Sequence, residues 1–211
     1  MKKMKIDMNA MKAEIGGAFL VSWAIFSSTL GSGVMGSVDE SYLWMALGLA
    51  VAWMTFAGAH VLPIVTWCHI MTGDLSDTEG NWMANGMRLI AQVIGACLAV
   101  ALATEFGDIE TGWEATDMWI PDIADNGFML IGLVAAGAVW WQVHTRTDSA
   151  WVSAFALVMF VQALNTDGAN EMAASVLGGA DGLVDTLVNW ICDGLFVGVG
   201  ALLGSKIDEM G

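Results

Sequence analysis

Four polar residues stand in or beside long apolar runs, and any chemistry would have to start from them. Glu14 opens "EIGGAFLVSWAIFSS", Gln92 sits in "LIAQVIGACLAV", His60 breaks "AVAWMTFAGAHVLPIV", and Glu171 follows "NTDGAN". A carboxylate at the edge of a lipid-compatible run is costly to desolvate and is a functional candidate by default. Its plainer reading is structural. Gln92 reads in the same two ways, as an interhelical hydrogen-bonding group or a lining group. His60 reads as a loop brace or a gate, and Glu171 as an exposed helix cap or a charged determinant of a pore.

None of the four belongs to a catalytic pattern. The chain has no G-x-S-x-G, no H-E-x-x-H and no phosphate-binding Gly-Lys-Ser/Thr loop. The histidines, 60, 69 and 144, lie in separate segments. His69, beside Cys68 and near Asp74, reads as packing and not as a metal ligand. Cys68, Cys97 and Cys192 all fall in apolar runs and read as small buried hydrophobes. We therefore expect no enzymatic activity, no cofactor and no metal.

The elements that position these residues follow from composition. The 211 residues are 56% apolar and 14% charged, with mean hydropathy +0.63 and formal net charge −15. Seven basic residues cannot supply a nucleic-acid interface, which works by neutralising phosphates. Eleven Trp fit the headgroup level of a bilayer. A crossing helix needs about 20 apolar residues. Six candidate spans result: 14–36, 42–59, 85–104, 127–143, 150–165 and 183–204. With the amino terminus inside, Lys2, Lys3, Lys5, Lys12, Arg88, Arg146 and Lys206 all fall on the cytoplasmic side. The opposite side collects Asp39, Glu40, Glu105, Asp108, Glu110, Glu114, Asp117, Asp122 and Asp125. This separation predicts a plasma (cytoplasmic) membrane protein in the bilayer, with both termini cytoplasmic.

Two apolar pieces are too short to cross. Residues 63–72, "PIVTWCHIMT", and 171–180, "EMAASVLGGA", are each about half a membrane thickness as helix. Each follows a polar or Gly-containing break. The chain thus reads as one membrane domain, 1–211, written twice: a first repeat over 13–104, an outer connecting loop over 105–126, and a second repeat over 127–205. Three spans per half make the second copy inverted, an architecture known among transporters. Irregular backbone at that depth must line a cavity or be buried in protein. Pro63 suits the first turn of such a half helix.

On these residues the chain resembles the aquaporin (major intrinsic protein) family. "GAHVLPIVT" is similar to that family's first re-entrant loop, Gly-Ala-His-x-Asn-Pro-Ala-Val-Thr; "AEIGGAFLVSWAI" to the start of its first helix; "AQVIGA" to its third; and "WICDGLFVGVGALLG" to its sixth. The resemblance implies an all-α membrane fold with six transmembrane helices, two re-entrant half helices and a homotetramer with one pore per subunit. It also implies that Glu14 and Gln92 support the loops.

The departures fall on the selectivity chemistry. The first Asn-Pro-Ala box reads Leu62-Pro63-Ile64. The second reads Asn170-Glu171-Met172 or Glu171-Met172-Ala173; the latter keeps Ser175 in place and puts Ala174 where the family has its selectivity Arg. The matching positions on spans two and five fall near Leu47 and Gln162. Leu62 cannot cap a helix as Asn does, whereas Glu171 is favoured at a positive helix end. The expectation is a passive channel for water or a small uncharged solute, wider and more apolar on its cytoplasmic side and less hostile to cations. The alternatives are a non-conducting structural or assembly subunit plugged by Leu62 and Ile64, and a cation or ammonia conductor organised by Glu171.

Overall fold

A computed structural model describes residues 7–28, 40–107, 118–120, 124–164, 166, 168–177 and 182–210. The described residues are helical and include no strand. The helices are α1 Met8–Ser28, α2 Glu40–Thr55, α3 Pro63–Thr72, α4 Ala84–Gly107, α5 Gly127–Arg146, α6 Ala150–Leu164, α7 Ala169–Leu177 and α8 Leu183–Met210, with a wide π turn at Thr78–Met83 leading into α4. Three helical stretches, Thr78–Thr104, Gly127–Arg146 and Leu183–Met210, are long and apolar enough to cross a membrane. Tyr42–Thr55 and Ala150–Leu164 are shorter apolar helices.

The packing partners repeat along the chain. α1 packs on α2 and α4, as α5 packs on α6 and α8, and α2 packs on α6. Short α3 lies chiefly on α8, and short α7 chiefly on α4. Glycines set the closest crossings. A Cβ at Gly95 of α4 would collide with the carbonyl oxygen of Ile15 in α1, and one at Gly137 of α5 with that of Val197 in α8. A Cβ at Gly200 would strike the Val134 carbonyl, so backbone lies directly against backbone on both faces of the α5–α8 seam. Small residues allow this approach, which is how helices associate where lipid removes the hydrophobic drive.

Several boundaries differ from the sequence expectation. The second predicted span ends at Thr55 and not at residue 59, because Phe56–Gly58 turn away and Gly58 takes φ +78°. The first is helical over Met8–Ser28, and residues 29–36 lie outside the described residues. The short helix predicted at 171–180 begins at Ala169 and is described to Leu177. α8 runs on to Met210, beyond the predicted end at 204. Most of the acidic 105–126 loop lies outside the described residues, as does Asp39.

Candidate functional site

Glu14 is fully buried, and both of its carboxylate oxygens are used. Oε1 accepts the His60 N–H at 2.7 Å and the Arg88 Nη1 at 2.5 Å; Oε2 accepts the Val61 N–H at 2.7 Å and the Gln92 Nε2 at 2.8 Å. Arg88 also donates to the Gly58 carbonyl at 2.9 Å, and Gln92 to Thr66 Oγ1 at 2.9 Å. One carboxylate thus ties α1, α4, the 58–62 loop and α3 together. Charge-assisted bonds of this kind are about twice as strong as neutral ones. They hold Val61 at φ +70°, a left-handed conformation that a β-branched residue rarely adopts. Such strain costs on the order of 1–3 kcal/mol and persists only where its surroundings enforce it.

This bracket delivers His60 into a cavity of about 320 Å³. His60, His69 and His144 all line it, together with Trp53, Asp148 and Ser153. The His60 and His69 rings stack with centroids 4.1 Å apart and planes 6° from parallel; His144 meets His69 edge-on at 6.2 Å. His60 Nδ1 lies 3.2 Å from Thr66 Oγ1, and His144 Nδ1 lies 2.7 Å from Ser153 Oγ. Every histidine of the chain therefore converges on one space, although they come from a loop, a half-length helix and the end of α5. The sequence reading kept them apart; the missed signal was that each lies at one end of its segment, as Asp148 and Arg146 do. Among the described residues no group of three or more His, Cys, Asp or Glu is arranged to hold a metal ion.

Trp140, stacked on His144 at 4.8 Å, lines a second, much smaller space. The second space is about 10 Å³, room for about one water. Its walls include Ile64, Leu157, Phe160, Val161 and Val197. Leu62 and Pro63 are buried next to Ile64, and Leu62 occupies the N-cap of α3 without offering a side-chain bond.

The second short helix is built differently. Gly168 precedes it, and Glu171 reaches back to accept the Gly168 N–H at 2.7 Å. That is the back-bonding arm of a capping box. The helix begins at Ala169: Gly168 ends the loop and the Glu171 carboxylate closes the first turn, so Asn170 and Glu171, the residues at which the two registers of the box start, both lie in that turn. Met172 packs with Leu89 and Trp190, and Ala173 with Ala96 and Val100, so both seat α7 on the long helices. Leu47 is half-buried on α2, Gln162 is exposed on α6, and Ala174 is buried on α7.

Some buried polar atoms have no protein partner. They include Trp67 Nε1 on α3, Gln92 Oε1 on α4, Ser175 Oγ on α7 and Trp190 Nε1 on α8. At the far end, Trp119 donates from its backbone N–H to Asn189 Oδ1 at 3.2 Å and from Nε1 to Asp193 Oδ1 at 3.0 Å. Asp193 is thus a buried acceptor inside α8. No family model matches the chain, and no curated protein matches it.

Proposed function

We propose that this chain is an aquaporin-like membrane channel that passes water or small uncharged solutes passively, working as a homotetramer in the plasma (cytoplasmic) membrane. One observation carries the reading: each half-length helix docks chiefly on the last long helix of the opposite half, α3 on α8 and α7 on α4. Crossed docking of this kind is what two inverted repeats need to bring their short helices inward. Donors and acceptors without protein partners on those same four helices fit contact with water, the usual partner of such groups. The Glu14 bracket fixes the irregular segment before α3, as non-helical backbone at membrane depth requires.

The direct test is osmotic shrinkage of reconstituted vesicles in a stopped-flow instrument. The expected result is faster shrinkage than in protein-free vesicles. Ile64→Ala should raise the rate further, because Ile64 walls the narrow apolar space. A second reading draws support from that space. Its 10 Å³ and walls that are apolar but for Thr166 suit a non-conducting structural subunit. Shrinkage equal to protein-free vesicles, for both the native chain and Ile64→Ala, would select it. The cation-conductor alternative loses ground because Glu171 is engaged as a cap of its own helix.

A further inference from the structure

We propose that His144 is a proton-binding site of the histidine-lined cavity, taking up a single proton in mild acid. The inference does not require the chain to conduct. Three indoles surround the His144 ring: Trp140 stacked at 4.8 Å with planes 24° apart, and Trp53 and Trp141 tilted at 5.7 Å each. Aromatic faces attract a cation, and three of them favour the imidazolium over the neutral ring. His144 also lies in the last turn of α5, where the helix dipole favours positive charge. Its Nδ1 can donate to Ser153 Oγ at 2.7 Å, leaving Nε2 to accept a proton from water in the cavity. Asp148, exposed at the rim, gives that proton a route from solvent.

Asp148 is the carboxylate that lines this cavity and offsets the added charge from its exposed rim; the remaining charged groups are engaged elsewhere. From α5, Arg146 is paired with Asp208 of α8 at 2.6 Å; from α4, Arg88 is held by Glu14 of α1. α6 contributes no charged residue. α3 contributes His69 at 6.2 Å, and the loop contributes His60 stacked behind it. A second proton on either would place like charges within one small space, so the three rings titrate as a coupled set with one charge taken first. The stack also passes the event to the strained loop: His144 repels or reorients His69, His69 carries His60, and His60 precedes Val61.

The test is nitrogen-15 NMR of selectively labelled histidine rings in nanodiscs across pH 4.5–8.5, a range chosen to bracket the ordinary imidazole value of about 6.5. Three ring pairs are expected, one per histidine. One should take up a proton within this range and vanish in His144→Gln. The other two should shift with the same midpoint while keeping the signature of neutral rings. Trp53→Leu should weaken proton binding by about two- to fivefold, the loss expected for one exposed cation–π contact. His69→Gln should leave the titrating pair in place, which keeps the test decisive if His144→Gln fails to fold. The proposal is overturned if the titrating pair survives in His144→Gln or disappears in His69→Gln. It is equally overturned if all three rings titrate independently, or if none takes a proton down to the acid limit.

Discussion

The two half-length helices solve one problem in opposite ways. α3 has an apolar N-cap, Leu62, and borrows its polar support from α1 and α4 through Glu14, Arg88 and Gln92. α7 carries its own support, the Glu171 back-bond to Gly168, and otherwise seats itself with Met and Ala. The first is braced by long-range bonds and the second by a local one. The first arrangement can hold an unfavourable backbone, as it does at Val61. The second is cheaper to build but holds only one turn.

Breaking each brace should expose the difference. Glu14→Ala leaves Arg88 without its carboxylate and strips two loop N–H groups of their acceptor. Loss of one partner from a buried pair costs about 3–5 kcal/mol, so a large fall in the thermal midpoint by circular dichroism in detergent is expected. Gly95→Ala, which drives a methyl into the Ile15 carbonyl beneath the same bracket, should cost about 1–3 kcal/mol by the same measurement. Glu171→Ala should cost about 1 kcal/mol, the worth of a cap. A Glu14→Ala loss no larger than the Glu171→Ala loss would erase the distinction. Gly86→Ala, in α4 with open space around it, should instead gain about 0.5–1 kcal/mol. The smallest effect is expected beyond the end of α3. There the Ser76 hydroxyl and N–H donate to Asp74 and hold its carboxyl below its ordinary value. Asp74 therefore keeps its charge further into acid than a free carboxylate, and Ser76→Ala should return its NMR titration toward the ordinary range.

How much was legible beforehand tracks the range of the interactions. α3 could be bounded from sequence because Pro63 and Gly73 are local punctuation at its two ends. α7 could not, since its start depends on a carboxylate three residues inside the helix reaching back to a glycine. The polar identity of Glu14 and Gln92 in apolar runs marked them at once, although Arg88, which pairs with Glu14, entered only as a charge near a span end. The histidine cavity was not legible. His60 and His144 stand 84 positions apart in the chain, and nothing local to either announces the other. The three indoles around His144 were equally hidden, because Trp is so frequent here that a cage cannot be told from ordinary interfacial residues.

The two helices that join the halves are also short. α2 and α6 pack on each other with 16 and 15 residues. At 1.5 Å per residue they reach about 24 Å and about 22 Å, against a hydrocarbon core of about 30 Å. In the six-span reading proposed above, acyl chains must thin or tilt to meet this pair, and lipids with short tails should gather along that flank.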